Sequence, residues 1–261
     1  MRGPDASQRW TRQLLSDLER RGLLAHVLAN RRRKLWHVTP RGGQLAEQAG
    51  GLSRRPKLLR GEDASAALHA HTLVVNEASM AWLHAARARG DDFGPLAWQH
   101  EVAHPLGRGR RRAVIADALL TYLLAEQDGE PASLEFRLLE LDRATLSVDR
   151  LAAKLARYAD LHRASDEQGA PVWRPWYPTF PAVHVVLTGA SPMLLARRRD
   201  AVFALCRSDP RLERAPDLAI SVGLLADLQT EGPFSAIFVT RDGADVDWLG
   251  RSPSRRTRPC G

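Results

Sequence analysis

The chain is poor in the residues that build covalent or metal frameworks. It has two cysteines, Cys206 and Cys260, and the second stands one residue from the end. That excludes a disulfide scaffold and a cysteine-based zinc site within the chain, and it fits a reduced cytoplasm. No apolar run approaches the ~18 residues of a membrane-spanning helix. The opening Met1-Arg2-Gly3-Pro4-Asp5 carries no apolar export segment. Lysine is scarce: of 38 basic residues only Lys34, Lys57 and Lys154 are lysines. With abundant Ala, Gly and Pro this suggests a GC-rich genome, so each remaining lysine is informative. What is present is ordinary for a folded chain, with 44% hydrophobic residues over a length that suits one or two domains.

The charge is unevenly placed. Residues 1–60 hold 14 basic and 4 acidic side chains, a net +10, whereas residues 61–261 hold 24 and 26, a net −2. A block of one sign usually marks a surface for nucleic acid or acidic membrane. Within it, residues 5–21 read as a helix with Trp10, Leu14, Leu15 and Leu18 on a buried stripe. Arg9, Arg12, Gln13 and Ser16 lie on the polar face. Residues 23–28 and 35–38 read as strands around a basic tip, Arg31-Arg32-Arg33-Lys34, and Thr39-Pro40 opens a further helix. Helix, strand, basic tip, strand, helix is the back half of a winged helix. Arg, Gln and Ser outward on a helix suit base edges, and a cationic tip suits phosphates. The plainer reading is a solvated helix and a hairpin that packs on a partner. Almost nothing precedes the first helix, so the expectation is a start upstream of Met1 or a module that has lost half its helices.

Further along, residues 66–88 read as a helix with Leu73, Met80 and Leu83 inside, and residues 96–102 as a strand. Residues 113–125 and 133–142 read as a hairpin joined at Asp128-Gly129, a strong two-residue turn signal. With those two residues as the loop, paired positions sum to 257 and Asp117 faces Glu140. Asp142, two residues on, shares that face. Like charges directly opposed repel, so such a cluster wants a cation. Mg²⁺ takes carboxylate oxygens and activates water or a phosphate. The plainer alternative is a carboxylate paired with Arg112 or Arg143. Residues 147–161 read as a helix whose Leu151, Leu155 and Tyr158 face inward with Lys154 beside them, within reach of the carboxylates.

Leu139-Glu140-Leu141-Asp142-Arg143-Ala144-Thr145, followed by Leu151, Lys154 and Tyr158, resembles the signature of the bacterial replication-relaxation family. His71-Thr72-Leu73 with Asn76-Glu77, and Asp117-Ala118, resemble its earlier motifs. The resemblance implies a plasmid or mobile-element protein in which a winged helix precedes a C-terminal domain. Its layout of helix, Asp, acidic pair and helix is similar to the restriction-endonuclease-like, PD-(D/E)xK core. Asp117, Glu140, Asp142 and Lys154 would then be catalytic, the three carboxylates holding Mg²⁺. Two departures stand out: Ala116 replaces a proline before Asp117, and Asp142 replaces the nuclease lysine, leaving Lys154 as a migrated substitute.

A competing motif, His100-Glu101-Val102-Ala103-His104, matches the H-E-x-x-H zinc-peptidase pattern, which needs a helix. Pro95 and Pro105 bracket it and Trp98, His100 and Val102 alternate as in a strand. The expected organisation is a partial winged-helix DNA-binding unit at 1–50, a linker at 51–66, a PD-(D/E)xK-like α/β domain at 67–250 and a basic disordered tail at 251–261. The expected function is DNA binding in replication or transfer of a mobile element, with Mg²⁺-dependent cleavage or with catalysis lost. The expected partners are DNA and replication or transfer proteins, with no membrane; the alternative from another class is a zinc metallopeptidase using His100, Glu101 and His104.

Overall fold

A computed structural model describes residues 4–29, 33–48, 66–94, 96–106, 113–126 and 131–252. The chain divides into two compact units, residues 1–70 and 71–261. The tip residues Arg31 and Arg32, the expected linker, the Asp128-Gly129 turn, Arg112 and most of the basic tail lie outside the described residues.

The N-terminal unit has helix α1 (Pro4–Arg20), strands β1 (Leu24–Ala29) and β2 (Arg33–Val38), and helix α2 (Pro40–Gln48). The strands form an antiparallel pair from Leu24↔Val38 to Ala29↔Arg33. Gly22, at φ 68, ends α1 in a conformation that L side chains rarely adopt. Gly42 lets the first turn of α2 sit against the chain, since a Cβ there would stand 2.1 Å from the Leu23 carbonyl oxygen. The apolar stripe expected on α1 is only half covered. Leu15 and Leu18 are partly buried, whereas Trp10 is 58% exposed and Leu14 39%.

The second unit is built on one seven-stranded sheet in simple sequential order. Its strands are β3 (Trp98–Pro105), β4 (Ala113–Leu124), β5 (Ser133–Asp142), β6 (Ala182–Leu187), β7 (Ile220–Leu224), β8 (Phe238–Thr240) and β9 (Asp245–Val246). The first three are antiparallel, β5 to β7 run parallel, and the last three are again antiparallel. Parallel neighbours need crossovers, supplied by α4 (Val148–Arg163) and by α5 (Pro192–Ser208) with α6 (Pro210–Glu213). These helices cover one face, with Leu151, Leu155, Tyr158, Leu195 and Phe203 buried against it. Helix α3 (Ala66–Arg89) and the short α7 (Leu225–Thr230) cover the other, through Val75, Ala78, Trp82, Ala86 and Leu228. On α3 the expected inward Met80 is 43% exposed, because Ala78, Ala81 and Trp82 carry the inner face. No helix among the described residues is long and apolar enough to cross a membrane.

The alternation of side chains breaks at one place in two strands together. Trp98 in β3 packs toward α3, yet Val102 packs toward α4. In β4, Val114 and Ala116 belong to the α4 side, whereas Ala118, Leu120 and Tyr122 belong to the α3 side. Regular strands would keep each set on one face. The ladder pairs His100 with Ala118 and Val102 with Ala116, with no Glu101–Asp117 pair between them. Glu101 has φ 49, in the left-handed region. The two strands therefore exchange faces at Glu101 and Asp117 while keeping register.

Candidate functional site

That exchange is what builds the site. Leaving the regular pleat, the Asp117 side chain contacts helices from both layers. Its Oδ1 accepts from Lys154 Nζ of α4 at 3.0 Å, and its Oδ2 lies 3.5 Å from His71 Nε2 of α3. The same Oδ2 accepts the Leu141 backbone N–H at 2.8 Å. The 257 register holds from Leu124↔Ser133 to Ala118↔Leu139 and stops there, so Asp117 meets β5 through its carboxylate rather than by facing Glu140 in the ladder.

Glu140 points to the α4 side and is 1% exposed. Its Oε2 pairs with Lys154 Nζ and its Oε1 with the Tyr158 hydroxyl. Lys154 and Tyr158 are one turn apart on α4, so both reach the same carboxyl group. The helix is aimed by a local signal: Ser147 caps its first turn by accepting from Arg150 N, with Asp149 in that turn. Burial and the nearby Asp117 charge push the Glu140 carboxyl up to about 8, against the pull of Lys154 and Tyr158. Burial would raise Asp117 too, but the His71 hydrogen bond, the Lys154 charge and the Leu141 N–H hold it well below the usual carboxylate range. Burial lowers Lys154, and the two carboxyl groups more than offset this and raise it. The centre therefore sets a readily ionised Asp117 carboxylate and a Glu140 carboxyl that ionises reluctantly around the Lys154 ammonium.

Asp142 does not join this group. Its Oδ2 accepts from Arg198 Nε of α5 at 2.6 Å and its Oδ1 from Ala144 N at 3.1 Å. Arg198 also donates to the Leu146 carbonyl, so Asp142 organises the turn from β5 into α4. The expected cluster of three carboxylates is thus replaced by two carboxyl groups bridged by a lysine. Tested as a metal centre, the residues do not fit as they stand. Each oxygen of Asp117 and Glu140 already has a donor, and no group of three His, Cys, Asp or Glu among the described residues could hold an ion.

The strand expected over residues 96–102 is observed as β3, which disfavours the H-E-x-x-H alternative. The motif lies in a strand, and the face exchange at Glu101 sends its two histidines apart. His104 is buried on the α4 side, its Nε2 2.7 Å from the Tyr177 hydroxyl, whereas His100 is exposed and lies near His71 of α3. A shared zinc is geometrically excluded in this arrangement.

On the N-terminal unit, Arg9, Arg12, Gln13 and Ser16 are all exposed on α1. Lys34 is exposed at the start of β2, with its ammonium 5.4 Å from the Trp36 ring centre. Arg33 opens β2.

Two features escaped the sequence reading. His71 was visible only as part of a motif, and its contact with Asp117 depends on the face exchange. The second is a buried polar row on the α3 face. His184 Nδ1 lies 2.6 Å from Ser221 Oγ and its Nε2 2.9 Å from the Trp248 carbonyl, to which Arg137 Nε also donates. Burial and the Arg137 charge push His184 down to about 3. His184, Ser221 and Trp248 also line a recess of about 740 Å³ that shares no residue with the Asp117 centre.

Comparison with known proteins gives one match. The model of a family described as replication-relaxation matches residues 2–172, which takes in all but the first residue of the N-terminal unit, with Asp117, Glu140, Asp142 and Lys154. No curated protein and no solved structure matches the chain.

Proposed function

The chain belongs to the replication-relaxation family, and on that premise we propose that it binds DNA during replication or transfer of a plasmid or other mobile element. In this reading the N-terminal unit is the back part of a winged helix, and α1 with the β1–β2 hairpin meets the duplex. The observation that carries it is the outward row Arg9, Arg12, Gln13 and Ser16 on α1, in a segment of net +10. The α/β unit has the element order of a PD-(D/E)xK core and acts as a scaffold without cleaving. The occupied oxygens of Asp117 and Glu140 favour that version. The meeting of Asp117, Glu140 and Lys154 favours a second version, Mg²⁺-dependent cleavage.

Fluorescence anisotropy with labelled duplex tests the first claim. Affinity should fall steeply with added salt, and Arg9→Glu with Arg12→Glu should weaken it. Binding that ignores both salt and charge reversal would sink the DNA reading. Nicking of supercoiled plasmid with Mg²⁺, lost in Glu140→Ala, would instead select the cleaving version.

A further inference from the structure

We infer that Lys154 is the resident cation of the Asp117–Glu140 centre, which holds this site closed to divalent metal ions. The inference deepens the non-cleaving version above and does not depend on whether the N-terminal unit binds DNA.

Two carboxyl groups brought together at a sheet–helix junction need a positive charge between them. A hard divalent ion is one solution, and an ammonium on a short tether is another. The chain uses the second. Lys154 Nζ contacts Asp117 Oδ1 and Glu140 Oε2 at once. An ion at that point would have to take the same two oxygens, so ion and ammonium cannot both be seated. The remaining oxygens give it no alternative, because Asp117 Oδ2 is held by Leu141 N and His71, and Glu140 Oε1 by Tyr158. A third carboxylate would raise affinity for an ion, but Asp142 is held by Arg198 and Ala144. Lys154 itself is fixed by the register of α4, since its neighbours Leu151, Leu155 and Tyr158 are buried in the core.

The position of the lysine therefore decides what the centre can bind. Removing the ammonium while keeping the carboxyl groups should convert a closed ion-pair network into an oxygen site. Mn²⁺ is a suitable probe, since its binding is read directly by electron paramagnetic resonance without any activity. The full-length wild-type chain should leave added Mn²⁺ free, alone or with duplex DNA, and Mn²⁺ should not raise its melting temperature. Lys154→Met and Lys154→Gln should each bind Mn²⁺ and melt at a higher temperature with it than without. Asp117→Asn in either background should abolish that gain, whereas Lys154→Arg, which keeps a cation, should stay silent. Should the neutral variants fail to fold alone, refolding in Mn²⁺ but not in K⁺ is the expected result. Mn²⁺ binding by the wild type that Asp117→Asn removes would overturn the inference. So would neutral variants that neither bind Mn²⁺ nor refold with it. Neither outcome bears on salt-dependent DNA binding, so the two readings fail separately.

Discussion

The two units solve opposite problems. The α/β unit buries large side chains on both faces of its sheet, among them Trp82, Tyr122, Tyr158 and Trp248, each at most 1% exposed. The N-terminal unit buries no apolar side chain among its described residues; only Gly42 and Gly43 are buried there. Its Trp10, Leu14, Leu28 and Leu45 are exposed instead. The charge divides the same way, +10 in residues 1–60 and 20 basic against 26 acidic groups in residues 61–250, a net −6. One unit is organised by its core and keeps its charges paired inside. The other is organised by a hairpin and turn contacts and presents unburied charge. A function that needs attraction to a polyanion would fall to the second rather than the first.

The largest test of that contrast is truncation in the strong core. Trp82→Ala should cost about 3–5 kcal/mol in urea denaturation, by loss of burial and the cavity left behind. A small cost would mean that the sheet and α3 are not a single cooperative core.

The pH dependence comes next. Glu140 is raised to about 8 from an ordinary 4.5. Between those values the folded chain keeps a proton that the unfolded chain has released, so stability is full below the lower value and declines as pH rises to about 8. The slope approaches ~1.4 kcal/mol per pH unit for one proton, and Glu140→Gln should flatten it. His184, pushed down to about 3 from 6.5, acts in the other direction. The unfolded chain takes up its proton first, so stability falls as pH drops below 6.5, and His184→Gln should remove that branch. Denaturation curves from pH 4 to 9 read both.

Charge reversal is the third test. Arg9→Glu with Arg12→Glu should weaken duplex binding by roughly tenfold or more at moderate salt and flatten the salt slope. Reversal of the exposed Arg150 on α4 should change it less. Equal effects would erase the division of labour between the units.

The smallest expected effect is Trp10→Ala, within ~0.5 kcal/mol, because the side chain is already mostly in water. A cost comparable to Trp82→Ala would show that the N-terminal unit has a core of its own.

Much of this was legible in the sequence where local signals agree. Residues 133–142 form β5 as their alternation and the Asp-Gly turn predict, and the 257 register follows from loop length alone. The inward stripe of Leu151, Leu155 and Tyr158 places Lys154 beside the carboxylates. The misreadings share a cause, which is that pattern rules assume an unbroken pleat and a covered face. Strict alternation at Glu101 would put His100 and His104 on one side, and a single positive φ separates them. Asp142 shares a face with Glu140, as periodicity predicts, but periodicity says nothing of Arg198, 56 residues away. The α1 stripe had the right period for burial, but periodicity cannot supply a neighbour to cover it.

The paired face exchange also constrains how this sheet can vary in length. Deleting Glu101 alone would restore regular alternation in β3 while leaving β4 exchanged, and every pair on one side of the break would slip. Deleting Asp117 alone does the same to β4. Removing both together keeps the ladder in step, since their partners on either side already match. The resulting sheet would be more regular, yet it would have lost the carboxylate that ties the two helical layers together. Length changes here are tolerated as a matched pair or not at all, and the price of the tolerated pair is the site itself.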